Sequence, residues 1–222
     1  MEIIAFYLPQ FHPTPNNDKW WGRGFTEWTN VAKSKPLFHG HYQPKIPADL
    51  GFYDLRLNET RVKQAELAKE AGVTAFCYYH YWFGEGHQEL ELPLNEVVRI
   101  GEPNFPFCLC WANDTWSKKM WNKDGNILGK EDLAIQKYLG TEDNKRHFRE
   151  LLHIFKDKRY LKIDGRLVFA IYKPLEFPNV DKFCKEWNEL AVCHGLPPFF
   201  FLFTKLTFIS SLSVENNKLG LT

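Results

Sequence analysis

Side chains that could bind or transform a sugar cluster in three segments of this sequence. They lie in residues 7–44, residues 77–84 and residues 108–116, where Trp and Tyr stand beside His, Asn, Asp and Glu. Sugar rings stack their C–H faces on aromatic rings, while their hydroxyls hydrogen-bond to carboxylates and amides. The candidate substrate-binding residues are Tyr7, His12, Trp20, Trp21, Trp28, His41, Tyr42, Tyr79, His80, Trp82, Trp111, Asn113, Trp116 and Tyr172.

Two carboxylates are the candidates for catalysis. Glycoside hydrolysis ordinarily requires two carboxyl groups that flank the scissile bond. Asp114 is the first carboxylate after the third predicted strand, and Glu27 lies among aromatic residues in the first loop. The structural alternative to catalysis for Asp114 is a role in a turn or helix cap. For Glu27 it is a helix cap or an ion pair within the loop. No Cys-x-x-Cys occurs, so the sequence predicts no metal, and we expect no other cofactor.

The elements that would position these residues alternate along the chain. Apolar runs at residues 3–8, 74–79, 105–111, 167–172 and 199–203 predict buried strands, and helical patterns lie between them. Such alternation predicts parallel βαβ units, which build both a barrel and a doubly wound sheet. No Gly-x-Gly-x-x-Gly or P-loop follows a strand, and polar and aromatic clusters follow strand after strand, so the predicted α/β fold is a (β/α)₈ TIM barrel. Because the second strand is predicted to end at Tyr79, His80 and Trp82 are expected to point into the site beyond it.

The number of units predicts an incomplete barrel. A full barrel takes roughly 250 residues, and the first loop alone uses about forty here. We therefore expect a barrel truncated to about its first five β/α units. Residues 1–205 would form this domain, and residues 206–222, which lack a strand–helix rhythm, would form an atypical tail.

Charge and composition narrow the functional classes. Lys and Arg total 28 against 27 for Asp and Glu, so nothing favours a nucleic acid or an anionic membrane as partner. No apolar stretch is long enough to predict a membrane span. The N-terminus lacks a basic region followed by a long apolar run, and the five cysteines show no disulfide pattern. These features predict a cytoplasmic protein whose partner is a glycan substrate.

Eight segments together resemble the WbsX-type, glycoside hydrolase family 99-like family. They occur in the family's order, between about residue 3 and about residue 200, and comprise residues 7–12, 20–22, 24–30, 41–44, 48–56, 76–83, 105–113 and 171–174. The resemblance implies a (β/α) barrel that acts on glycans, often encoded with genes of polysaccharide biosynthesis or degradation. Members are variously described as glycosyltransferases or as relatives of endo-mannosidases.

The sequence departs from this family in two places. Where the family usually has Asn-Glu-Asn, this chain has Asn113-Asp114-Thr115, so the carboxylate is one methylene shorter and an amide is lost. The family also carries a Glu-Trp-rich segment after a later strand, the expected location of catalytic carboxylates, and we find no counterpart. Residues 186–189 are similar as a string, but they lie in an amphipathic helical pattern whose Trp187 faces the core.

The resulting hypothesis is glycosyl transfer or hydrolysis on a polysaccharide or oligosaccharide. Whether this chain is itself an active enzyme is left open, because the later carboxylates have no counterpart. Two alternatives remain: a sugar-nucleotide-dependent glycosyltransferase in polysaccharide biosynthesis, and a non-catalytic glycan-binding fragment. A sequence that no longer encodes a folded protein is a third alternative, which cooperative unfolding would exclude.

Overall fold

A computed structural model describes residues 2–121 and 127–204 of the chain. Its strands are β1 (Ile4–Tyr7), β2 (Ala75–Trp82), β3 (Gln88–Glu89), β4 (Phe107–Trp111), β5 (Trp116–Trp121), β6 (Ile127–Ala134), β7 (Lys162–Ile163), β8 (Arg166–Ile171) and β9 (Phe199–Phe203). Its helices are α1 (Pro15–Trp21), α2 (Glu27–Lys33), α3 (Asn58–Glu70), α4 (Leu92–Ile100), α5 (Thr141–Phe155) and α6 (Val180–Cys193). The atypical tail that was predicted at residues 206–222 lies outside the described residues.

Five parallel strands form the main sheet, in the order in which they occur along the chain. β1 pairs with β2, β2 with β4, β4 with β8 and β8 with β9, all in parallel. The short strands β3 and β7 add antiparallel partners to β2 and β8, and β5 pairs with β6 in a separate hairpin. All five predicted strands are present. The prediction of an α/β fold built on a parallel sheet is therefore confirmed.

The two faces of this sheet differ in what covers them. Alternate strand residues point to opposite faces. One face, which we call the helix face, contacts α5 and α6 through residues such as His80, Trp111 and Phe169. The other, the inner face, carries small residues, among them Cys77, Cys108 and Ala170. A (β/α) barrel has this strand order with helices on one face, whereas a doubly wound sheet reverses its order and carries helices on both.

Aromatic packing between helices and sheet makes up much of the core. Trp187 of α6 is fully buried and contacts Phe169 of β8 at 4.7 Å between ring centroids. Its indole Nε1 donates a hydrogen bond to the carbonyl of Asn144 on α5. The prediction that the Glu-Trp string of residues 186–189 belongs to the core rather than to a site is confirmed for Trp187.

Three features of the described structure differ from the sequence-based expectations. The first loop contains two short helices, α1 and α2, and the segment after β4 forms the β5–β6 hairpin; none of these was predicted. β2 continues to Trp82, three residues beyond its predicted end at Tyr79.

No helix in the described part of the chain is long and apolar enough to cross a membrane.

Candidate functional site

A pocket lies beside the carboxyl ends of three neighbouring strands of the sheet. Gln10 follows β1, and Thr115 follows β4. Leu90 follows β3, the short strand that pairs with the end of β2. The pocket has a volume of about 280 Å³, and we call it the rim pocket. Its lining consists of Gln10, Asn17, Trp20, Trp21, Glu27, Leu90, Thr115, Trp116, Ser117 and Leu133, which include four residues predicted from the sequence.

The two helices of the first loop supply most of one wall. α1 begins after Thr14, whose Oγ1 accepts a hydrogen bond from the backbone N–H of Asn17 at 3.1 Å, and Pro15 occupies its first position. This helix presents Asn17, Trp20 and Trp21 to the pocket. Glu27 is the first residue of α2, where the partial positive charge of a helix N-terminus favours a carboxylate.

Aromatic rings connect the rim pocket to the inner face of the sheet. Trp20 meets Trp116 edge to face at 6.1 Å between ring centroids, and Trp116 meets Tyr81 at 4.9 Å. Tyr81 in turn lies 6.4 Å from Tyr79, which lies 6.0 Å from Tyr172. Tyr81 was not among the predicted substrate-binding residues, although its position two residues after Tyr79 places it on the same face.

Tyr79 can act here as a hydrogen-bond donor at physiological pH. Burial, followed by the neighbouring Cys110, Tyr172 and Cys77, raises the pKa of the Tyr79 phenol to about 12. The hydroxyl is therefore protonated and neutral under ordinary conditions.

Asp114 lies at the end of β4 in a cluster of charges. Its Oδ1 is 3.1 Å from Nζ of Lys173, which also lies 3.0 Å from Oε1 of Glu176. Burial opposes the charged form of Lys173, but the hydrogen bonds to Glu176 and Asp114 outweigh it and raise the pKa of the ammonium. Lys173 is thus a cation held at the rim beside the predicted catalytic carboxylate.

Asn113 was predicted to bind substrate, and its amide is already occupied by the protein. Its Nδ2 donates to the Tyr138 hydroxyl at 2.8 Å and to the Lys173 carbonyl at 2.9 Å, while its Oδ1 accepts from the Lys173 backbone N–H at 2.7 Å. The side chain is 1% exposed. Asn113 therefore joins the ends of β4 and β8.

His80 and Trp82 do not point into the site, so the prediction of their orientation was wrong. Because β2 continues to Trp82, both stay on the helix face, opposite Tyr79 and Tyr81. Nε2 of His80 lies 2.7 Å from Nε2 of His147 on α5, and the Trp82 indole donates to Asp143.

Two further predicted site residues share that face. The Trp111 indole donates a hydrogen bond to the Trp82 carbonyl at 3.0 Å, and its ring packs on α6. Tyr7 is buried, and its hydroxyl donates to Gln64 of α3. Neither side chain lines the rim pocket.

The remaining predicted residues lie in the first loop, away from the rim pocket lining. Trp28 donates from its indole to the Tyr53 carbonyl at 2.7 Å. His41 accepts a hydrogen bond from the backbone N–H of residue 37, and the neighbouring Tyr42 is 71% exposed. His12 is buried, burial lowers the pKa of its imidazole, and neither ring nitrogen has a hydrogen-bond partner within the described residues.

Within residues 2–121 and 127–204, no group of three or more His, Cys, Asp or Glu side chains could hold a metal ion.

The molecule is thus an α/β protein with an aromatic and acidic pocket at the carboxyl ends of a parallel sheet. The chain belongs to the WbsX glycosyltransferase family, whose model, described as "Glycosyltransferase WbsX", matches residues 3–220. The family resemblance predicted from the sequence is therefore confirmed.

Two curated relatives are the proteins named "Uncharacterized protein WxcX" from two strains of Xanthomonas campestris pv. campestris. Each is 40% identical to this chain over 194 residues, which are 87% of this chain and 27% of the relative. The chain thus spans about a quarter of the length of these relatives.

Solved structures that resemble the chain include two of the GH99 endo-alpha-mannosidase from Bacteroides thetaiotaomicron, one of them in complex with bis-tris-propane. Both are 16% identical to this chain with a TM-score of 0.45. The similarity covers 92% and 91% of this chain and 55% and 51% of the respective structures.

Proposed function

We propose that the rim pocket binds a glycan, and that residues 1–205 are the N-terminal part of a carbohydrate-active (β/α)₈ barrel domain that performs glycosyl transfer or hydrolysis. The observation that carries the proposal is the composition of the pocket: three indole rings and the Glu27 carboxylate meet at the carboxyl ends of parallel strands. Active sites of (β/α) barrels are built at this end of the strands.

The order of the strands supports the barrel part of this proposal. The parallel strands β1, β2, β4, β8 and β9 follow one another in the sheet as they do in the chain, and the helices that cover them lie on one face. These strands would be about the first five units of the barrel. Further units would have to come from residues outside the described part or from a longer chain.

The chemistry of the lining suits a sugar. Trp20, Trp21 and Trp116 offer faces and edges on which C–H groups of a pyranose can stack. Gln10 and Asn17 supply amides for the ring hydroxyls, and a carboxylate such as Glu27 can accept from two neighbouring hydroxyls.

The two predicted catalytic carboxylates have different surroundings. Glu27 lines the pocket and accepts a long hydrogen bond, 3.4 Å, from Nδ2 of Asn30. Asp114 is held by Lys173 and lies one residue before the lining residue Thr115. We therefore propose Glu27 as the carboxylate that contacts the sugar and Asp114 as a second ligand or catalytic partner at the edge of the site.

The name of the family favours one of the possible reactions. A family described as glycosyltransferase supports transfer to a sugar acceptor rather than to water. Non-catalytic glycan binding is the alternative if the carboxylates that complete the site lie elsewhere in a longer protein. Product analysis separates these cases: transfer yields an elongated glycan, hydrolysis yields shortened ones, and a binding fragment yields neither.

Affinity measurements on variants test the proposal. Trp116→Ala should weaken the binding of mannose- or rhamnose-type oligosaccharides roughly tenfold, because it removes a stacking surface worth about 1.4 kcal/mol. Glu27→Gln should weaken it too, because an amide accepts less strongly from hydroxyls than a carboxylate does. Phe38→Ala, which alters an exposed aromatic of the first loop outside the pocket lining, is the matched control. Calorimetry that gives equal affinities for all four proteins would contradict the proposal.

A further inference from the structure

Glu89 is a buried carboxylate beside the rim pocket to which neither sequence nor family assigned a role. Its side chain is 5% exposed, and the next residue, Leu90, lines the pocket. Glu89 stands opposite Tyr81 in the antiparallel pairing of β2 and β3. Side chains of residues that stand opposite each other leave the same face of a ladder, so Glu89 projects on the side of Tyr81 and Trp116.

The Glu89 carboxylate connects the β2–β3 ladder to helix α1. Its Oε1 accepts hydrogen bonds from Nδ2 of Asn16 and, at 2.8 Å, from Nε2 of His87. Asn16 lies in α1, the helix that presents Asn17, Trp20 and Trp21 to the pocket. A movement of α1 would therefore displace the amide and the indoles together.

Helix α1 needs such an anchor because it is short. It has seven residues, and isolated helices of that length do not persist in water. Trp20 supplies an apolar contact with Trp116, whereas the bond between Asn16 and Glu89 is polar and directional. A hydrogen bond to a carboxylate is about twice as strong as one between neutral groups.

The backbone beside Glu89 is also held in an unusual conformation. Leu90 has a φ of 59°, in the left-handed region that residues other than glycine rarely occupy. Such residues persist where the surrounding structure fixes them, and they concentrate at functional sites.

We infer that Glu89 is a positioning residue of the rim pocket: through Asn16 it fixes α1, and thereby the placement of Asn17 and Trp20 for a bound sugar ring. The inference rests on the proposed function for the identity of the ligand. The anchoring of α1 by Glu89 stands independently of that function.

Hydrogen exchange of the 222-residue chain tests the anchoring. Glu89→Leu removes the acceptor, so the backbone amides of residues 17–22 should exchange faster than in the wild type, whereas Glu89→Gln keeps an acceptor oxygen and should restore most of the protection. Glu186→Leu is the matched control, because Glu186 accepts from Thr141 and Asn144 between α5 and α6. Exchange in α1 that is unchanged by Glu89→Leu, or equally accelerated by Glu186→Leu, would overturn the inference.

Glycan affinity then tests the consequence for the pocket. Glu89→Leu should weaken the binding of mannose- or rhamnose-type oligosaccharides on the order of tenfold, with partial recovery in Glu89→Gln and no change in Glu186→Leu. Wild-type affinity in Glu89→Leu would overturn the positioning role. If the wild type binds none of these glycans, the proposed function fails, while the exchange of α1 still decides whether Glu89 anchors that helix.

Discussion

The direction of a single side chain decides whether a residue of β2 belongs to the site or to the core. Tyr79 and Tyr81 lie on the inner face of the sheet, and His80 and Trp82 lie on the helix face. The sequence predicted that His80 and Trp82 point into the site because it placed the end of the strand at Tyr79. The period of two along the strand, continued to its true end at Trp82, gives the observed assignment.

The buried pair of His80 and His147 makes stability depend on pH. Burial lowers the pKa of His80 to about 3, and burial together with His80 holds the pKa of His147 well below its usual value. In the unfolded chain both imidazoles take up protons near pH 6.5. The stabilising contribution is therefore complete above about pH 6.5 and is lost as the pH falls from there towards the folded pKa values.

Denaturant unfolding between about pH 7 and about pH 5 checks this expectation. The free energy of unfolding should fall by at most about 1.4 kcal/mol per pH unit for each imidazole. His80→Gln should reduce that slope, whereas His39→Gln, which alters an exposed histidine, should not. An unchanged slope in His80→Gln would show that the pair does not control the response to acid.

Among the structural elements, β4 and β8 are joined by the hydrogen bonds of the Asn113 side chain to Lys173. Asn113→Ala removes the acceptor of the Lys173 backbone N–H and one of two donors to the Lys173 carbonyl, which also accepts from the Glu176 N–H, and the Asn113 side chain is 1% exposed. We expect the free energy of unfolding to fall by about 2 kcal/mol, measured by denaturant titration. Asn104→Ala, at an exposed position, is the control. Lost glycan affinity with unaltered stability would instead assign Asn113 to the substrate.

The strands and the longer helices were predictable because their patterns are strong. The five parallel strands are short apolar runs, and α5 and α6 repeat large apolar residues with the helical period. α1, α2 and the β5–β6 hairpin were not predictable in this way. α1 and α2 have seven residues each and few buried side chains, and the hairpin residue Trp116 packs on rings that come from distant segments.

The candidate site was predictable in composition but not in geometry. Trp20, Trp21, Glu27 and Trp116 were identified by type, and the structure brings them together in one pocket. Glu89 was not predicted as a site residue, because a carboxylate that follows a glycine-rich turn usually lies at the surface. Its burial results from contacts with Asn16 and His87, and the contact with Asn16 joins residues 73 positions apart.

In the molecule as a whole, exposed apolar side chains lie at the edge of β1 that faces away from β2, within the described part of the sheet. Phe6 is 54% exposed, and a groove of about 290 Å³ lies beside it, lined partly by Leu8 and Leu67. Within residues 2–121 and 127–204, β1 pairs only with β2. A further strand and helix would cover these groups, which fits the proposal that this chain contributes the first units of a larger barrel.

Whether the rim pocket binds a glycan is best tested by a crystal structure with a mannose- or rhamnose-type oligosaccharide bound. We expect density for a sugar ring against Trp20 or Trp116, with ring hydroxyls within hydrogen-bonding distance of the Glu27 carboxylate. Density for the sugar at another surface, with the rim pocket unoccupied by sugar at saturating ligand, would show that the glycan binds elsewhere.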